Sequence, residues 1–179
     1  NAGEGTDTIQ LNRSSVQTPV LTITVPLNIE NVNINSTYQV NAVGSSGNNL
    51  LLGSTAWGIG SGNPHSLSGM AGDDTYRVWI PTTTVAEALG DGTDTIEAVI
   101  DFRAAANVEN ITAYNNGANI SNRINIFGNA VDNVLTGNWG YNRLDGGTGN
   151  DAMSGDKGDD TYVVDSTLDT ITDTLGVDT

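Results

Sequence analysis

From Gly128 onward the chain divides into blocks of nine residues that never lose phase: GNAVDNVLT, GNWGYNRLD, GGTGNDAMS, GDKGDDTYV, VDSTLDTIT and a partial DTLGVDT. The sixth place is Asn133, Asn142, Asp151, Asp160, Asp169 and then Asp178, and the eighth is Leu135, Leu144, Met153, Tyr162 and then Ile171. A short amide or carboxylate at one place and a large side chain two places on, repeated without slippage, is a rule of architecture rather than a composition bias.

Residues 146–163 fit the nonapeptide GGxGxDxUx, with U a large apolar residue, and so resemble the RTX, or haemolysin-type, calcium-binding repeats of secreted bacterial proteins. The resemblance implies an all-β chain wound as a right-handed parallel β-roll, a β-solenoid. Six residues of each block would form a calcium-binding turn and three a short strand. Elementary chemistry points the same way. Glycine at places one, two and four lets the backbone take positive φ and turn its carbonyls inward. Calcium takes roughly six to eight oxygen ligands, which such carbonyls and Asp side chains supply.

Consecutive turns of such a roll lie on opposite edges, so turns sharing an edge are eighteen residues apart. One edge then carries Asn133, Asp151 and Asp169, the other Asn142, Asp160 and Asp178. The fit to the family implies that carbonyls of Gly128, Gly146, Thr148 and Gly149 join Asp151 around calcium. Those of Gly137, Gly155, Lys157 and Gly158 would join Asp160. Asn133 and Asn142 offer only a neutral amide oxygen, a weaker ligand, while Asp169 and Asp178 keep the phase without the leading glycines. Asp74 and Asp94, in GDDT and GTDT contexts, are candidates for a shared site, and Asp7 stands in a matching GTDT. Stacked strands lie about 4.8 Å apart, and two carboxylates at that spacing repel by roughly 3 kcal/mol at an effective dielectric near 20. The roll should not close unless a cation sits between its turns.

Composition limits the alternatives. Charged residues make up 15% of the 179 positions and Gly contributes 22, so turns dominate and long amphipathic helices are hard to find. A net charge of −15 argues against nucleic acid or an anionic membrane surface as partner. Without cysteine no disulfide framework or thiolate site can be built. No run approaches the roughly 20 apolar residues of a transmembrane helix. With Asn at position 1 and a last block stopping before its apolar eighth place, the sequence reads as an excerpt of a longer polypeptide.

A longer period overlies the short one. GEGTDTI at Gly3 recurs as GDGTDTI at Gly90, GDDTYR at Gly72 as GDDTYV at Gly158, NIENVNI at Asn28 as NVENITA at Asn107, and NNLLLG at Asn48 as DNVLTG at Asp132. The first copy carries an insertion around residues 12–19. Two tandem modules follow, 1–87 and 88–179, expected to run as one continuous solenoid. In the first the rule weakens. GSSGNNLLL and GMAGDDTYR fit, GSTAWGI is short, and GSGNPHSLS puts His65 where Asp or Asn should be, so fewer or weaker calcium sites are expected there. Residues 21–27, 31–34, 95–102, 109–114 and 123–127 alternate apolar and polar side chains as half-buried strands do. Asn-rich joints separate them at 115–117 and 119–122, and residues 85–89 and 101–106 could form a helical turn.

His65 lacks the second His, Cys or Glu that a catalytic or zinc role needs. Trp57, Trp79 and Trp139 could stack on sugar rings if they share a face, although packing on the roll is the plainer reading. Four glycosylation-like triplets, at Asn12, Asn35, Asn110 and Asn119, read as coincidence in an Asn-rich chain. No nucleophile elbow, phosphate loop or paired-acid constellation stands out. The expectation is therefore a calcium-binding structural module without chemistry of its own. It would be exported by type I secretion and would fold outside the cell or at its surface. The alternatives are a polysaccharide-gripping module beside the catalytic domain of a secreted hydrolase, lyase, protease or epimerase, and an adhesin, S-layer or filament segment stacking on neighbouring modules.

Overall fold

The computed structural model describes residues 5–13, 20–54, 64–114, 123–173 and 176–179. Among these every regular element is a strand, and the strands pair in parallel. The chain forms two compact units, Asn1–Thr93 and Asp94–Thr179, whereas the sequence modules divide between 87 and 88.

In the first unit β1 (Thr8–Arg13), β2 (Leu21–Thr24), β3 (Asn31–Ser36), β4 (Val40–Val43), β5 (Leu50–Leu52), β6 (Ser66–Ser68), β7 (Thr75–Val78) and β8 (Thr84–Ala86) alternate between two sheets. The odd strands pair in the order β1, β3, β5, β7 and the even ones in the order β2, β4, β6, β8. Successive strands on different sheets, each paired with the strand two places on, define a β-solenoid. Its interior is lined by Val32, Ile34, Val40, Ala42, Leu51, Leu67 and Tyr76. Residues 21–27 are expected as one strand, but β2 ends at Thr24. Val25 still donates to the Val43 carbonyl at 2.7 Å, and Pro26, with no N–H, cannot continue the ladder.

The second unit repeats the plan with β9 (Thr95–Ala98), β10 (Phe102–Arg103), β11 (Asn110–Ala113), β12 (Ile126–Phe127), β13 (Val134–Thr136), β14 (Arg143–Asp145), β15 (Ala152–Ser154), β16 (Thr161–Val163) and β17 (Thr170–Ile171). Odd strands again form one sheet and even strands the other. The eighth place is the centre of β13 to β16 and the second residue of β17, and the register aligns Leu135 with Met153 and Ile171, and Leu144 with Tyr162. Leu135 and Leu144 are wholly buried, each contributing about 2 kcal/mol by the area it removes from water. Ile171 in the last coil stays 48% exposed.

The two suggested helical turns are absent. Residues 84–86 are a strand because Val85 pairs in register with Leu67, and Phe102 and Arg103 pair with Ile126 and Phe127. Ladder pairing outweighs a local preference too short to sustain a helix. Trp57, residues 55–63 of the two irregular blocks and the joint at 115–122 lie outside the described residues.

The longer repeat has a structural basis in each unit separately. The GTDT and NIEN-type motifs meet: Asp7 N donates to Glu30 Oε2 at 2.8 Å across 23 residues, and Asp94 N donates to Glu109 Oε2 at 2.8 Å across 15. The motifs make the same contact despite unequal spacing.

Candidate metal centre

The sixth-place residues stack along two edges at the eighteen-residue spacing. On one edge Asn133 N donates to Asp151 Oδ1 at 2.8 Å, and Asp151 N donates to Asp169 Oδ1 at 3.0 Å. On the other, Asn142 N donates to Asp160 Oδ1 at 2.7 Å, and Asp160 N donates to Asp178 Oδ1 at 2.9 Å. Each carboxylate therefore grips the backbone of the coil before it with one oxygen. In the first unit Asp74 does the same, Asn49 N donating to its Oδ1 at 2.6 Å.

The second oxygen is different. Asp151 and Asp160 are each 1% exposed, and the Oδ2 of each is buried without a hydrogen-bond partner among the described residues. That oxygen lies against the place-one glycine of its own block. A Cβ on Gly146 would collide with Asp151 Oδ2, and one on Gly155 with Asp160 Oδ2 and the Tyr162 hydroxyl. Gly69 stands in the same relation to Asp74 and Tyr76. The glycine at place four is needed for conformation as well. Gly149 and Gly158 have φ of +138° and +120°, and a Cβ on either would press on the carbonyl of the residue eighteen earlier, Val131 or Gly140.

Two clusters of carboxylates form around these corners. Asp151 gathers with Asp165 and Asp169, and Asp160 with Asp173 and Asp178, one oxygen of each residue lying within 4.8 Å of the others in its cluster. Asp165 and Asp173 are the members that the sequence reading missed. They stand at leading places of the last two blocks, where glycine is lost. The signal was present, since Asp165 stands at the second place of its block and Asp173 at the first, both places that the motif gives to glycine.

The electrostatics follow from burial. The Asp160 carboxyl is pushed up to about 6 by burial, opposed by the Asn142 N–H and reinforced by the charges of Asp173, Asp178 and Asp159. Asp151 is raised by burial too, opposed by the Asn133 N–H and reinforced by Asp169, Asp165 and Asp132. Asp169 moves the other way, because the N–H groups of Asp151, Ser166 and Asp165 all donate to its carboxylate. Tyr162 is raised by burial and by donating its hydroxyl to Asp173, while accepting from Gly155 N at 2.8 Å. A buried carboxylate with an unused oxygen, adjoining two more acids, has the donor set of a hard-cation site. These clusters could hold a metal ion.

The other expected site residues have other surroundings. Asn133 and Asn142 stand one coil before the clusters with both amide functions engaged. Their Oδ1 atoms accept from Asn129 N at 2.8 Å and Asn138 N at 2.7 Å. Their Nδ2 atoms donate to Val108 and Ile124 carbonyls, each at 2.8 Å. A carboxylate has no donor to make that second contact. The carbonyls of Gly146 and Gly155 face Gly128 and Gly137, where an added Cβ would strike them. Thr148 and Lys157 are exposed on their turns, and Lys157 Nζ lies 4.1 Å from the centroid of the Trp139 ring. Asp74 and Asp94 are buried as Asp151 and Asp160 are, each 1% exposed.

His65 is 1% exposed, and its Nδ1 accepts from Val40 N at 3.3 Å. It therefore does in its block what Asp does elsewhere, receiving the amide of the preceding coil. Burial lowers its pKa, which keeps the ring neutral and Nδ1 an acceptor.

No family model matches the chain, and no solved structure matches it. Among curated proteins it is similar to the endo-1,3-1,4-beta-glycanase ExsH of Rhizobium meliloti (strain 1021), 35% identical over 97 residues. The match covers 54% of this chain and 18% of that enzyme, so the likeness is to a small part of a much longer protein.

Proposed function

We propose that the chain is a calcium-binding structural module of the RTX type, part of a secreted or cell-surface bacterial protein, whose folding is completed by calcium outside the cell. The observation that carries this reading is the pair of buried carboxylate oxygens at Asp151 and Asp160, without hydrogen-bond partners among the described residues and each within a three-acid cluster. All-oxygen donors select calcium or magnesium over softer metals, and a corner built of carboxylates from two coils suits the larger, geometrically tolerant ion.

Bound calcium would supply positive charge to a corner whose acids otherwise repel one another. The chain's own residues do the rest. Asp151 and Asp160 tie each coil to the one before, glycine leaves room for their second oxygens, and Leu135, Leu144 and Met153 form the apolar ladder behind. Because the unfolded chain has no preformed corner, ion binding adds directly to folding free energy. In a cytoplasm poor in calcium the chain would remain open for export, and millimolar calcium outside would close it. Circular dichroism of chelated protein during calcium titration tests this, beside an Asp151→Ala, Asp160→Ala double variant. A cooperative gain of β signal is expected for the parent, with a midpoint at least about tenfold higher for the variant. Superimposable titrations would refute the assignment.

The partial match to a glycanase supports a second reading, in which the module serves a secreted polysaccharide-cleaving enzyme as a non-catalytic part.

A further inference from the structure

The outer face of the first unit carries a groove that has nothing to do with the acidic corners. Gln10, Asn33, Leu52 and Arg77 lie in one row across β1, β3, β5 and β7, each in register with the next. Beside this row Asn35 and Trp79 complete a cavity of about 340 Å³. Among the described residues no acid lines it. Asn35 Nδ2 donates to Asn12 Oδ1 at 3.1 Å and Gln10 Nε2 to the same oxygen at 3.5 Å, which fixes the two amides side by side. The Asn33 amide and the Trp79 indole N–H make no hydrogen bond with the described residues. Both are half-buried and line the groove.

We propose that this groove binds a neutral glycan. A pyranose ring presents an apolar C–H face and a rim of hydroxyls, each both donor and acceptor. The indole of Trp79 offers a flat surface, electron-rich on its face, for the first. The amides of Gln10, Asn33 and Asn35 offer donor and acceptor together for the second, which a carboxylate or ammonium cannot. The in-register row crosses four strands, roughly 14 Å at the spacing of a parallel ladder, so the groove is long enough for a short run of sugar units. Its volume is at the small end of binding clefts, about 300 Å³ upward, as suits a surface that holds a segment of a chain. The choice of a neutral glycan rests on the amide-rich lining, in which Arg77 is the one charged residue among those described. The partial likeness to an enzyme named for 1,3-1,4-β-linkages supplies the probe.

The test is isothermal titration of the full chain, in calcium, with soluble mixed-linkage β-glucan oligosaccharides, and with alginate as the anionic control. Saturable binding to the glucan is expected. Trp79→Ala should weaken it about tenfold, Trp79→Phe much less, and Asn33→Ala with Asn35→Ala about fivefold. Trp139→Ala, which changes an indole of the other unit, should leave it unchanged. The inference is overturned if the glucan gives no saturable heat, if folded Trp79→Ala binds as the parent does, or if alginate alone binds. Should Trp79→Ala fail to fold by circular dichroism, the exposed-face double Asn variant decides, and undiminished binding by it refutes the groove.

Discussion

Replacing Asp160 by Asn separates what that residue does for the fold from what it does for a cation. The amide keeps an Oδ1 to accept the Asn142 N–H, held at 2.7 Å in the parent, and removes the charge. In the folded chain without metal, the carboxyl titrates at about 6 against an ordinary 3.8. The sign follows from proton counts. Between these values the folded state binds more protons than the unfolded, so stability falls as pH rises through the window and the penalty is complete at pH 7. At 1.36 kcal/mol per unit the limit is about 3 kcal/mol, and solvent screening at this corner brings it to about 1 kcal/mol. Asp160→Asn should therefore stabilise the metal-free fold at pH 7 by about 1 kcal/mol, roughly 2–4 °C in melting temperature. In saturating calcium it should destabilise, because a charged ligand is lost. The assay is thermal melting by circular dichroism in chelator at pH 7 and pH 4.5, with trimethylamine N-oxide added to populate the compact state, then in calcium. The metal-free difference should shrink at pH 4.5, where the parent carboxyl is largely protonated. A variant less stable than the parent in both chelator and calcium would refute the electrostatic reasoning, since it would make Asp160 a purely structural acceptor.

Two further substitutions probe the corners. Gly155→Ala drives a Cβ into Asp160 Oδ2 and the Tyr162 hydroxyl, whereas Gly90→Ala meets nothing within 4 Å and suffers only from φ of +83°. Urea melts should show a loss of about 3 kcal/mol or more for the first and about 1 kcal/mol for the second; equal losses would mean that the glycine serves conformation alone. His65→Ala should cost about 1–3 kcal/mol by stranding the buried Val40 N–H, with His65→Asp recovering part of it. Since the folded pKa of His65 is lowered, its contribution is present above the ordinary value of 6.5 and is lost as pH falls through it. A parent whose stability between pH 7 and pH 5 matches that of His65→Asp would contradict this.

The phase of the nonapeptide was enough to read the stacking. Leu135, Met153 and Ile171 stand in register, as do the acids of each edge, because a period of nine leaves only one way to keep apolar eighth places inside. Partners contributed by neighbouring coils were harder to read. Carboxylates at strand spacing repel, but each also accepts a backbone N–H from the coil before it, a partner that the spacing of charges along the sequence does not reveal. That contact lowers the carboxyl's pKa and offsets part of the repulsion. Asp165 and Asp173 were passed over because a motif search scores the loss of glycine and not the gain of an acid. His65 counted as a defect in the rule, although an imidazole nitrogen can replace a carboxylate oxygen when the task is to receive one N–H.

The comparison among sixth places bears most directly on function. Asn49, Asn133 and Asn142 accept an amide of their own turn and donate to carbonyls of the preceding coil, so an amide there leaves neither function idle. His65 receives one amide and stays neutral. Asp151 and Asp160 also receive one amide, yet each buries a second oxygen with no hydrogen-bond partner among the described residues and a charge that the surrounding acids oppose. For joining coils the carboxylate is the costliest of the three solutions. Its cost is recovered only if a cation meets the idle oxygen, and the acids converging on it from the next coil, Asp165 with Asp169 and Asp173 with Asp178, would otherwise make the corner worse. Substitutions that neutralise those neighbours should therefore mimic Asp160→Asn, raising metal-free stability while weakening the response to calcium.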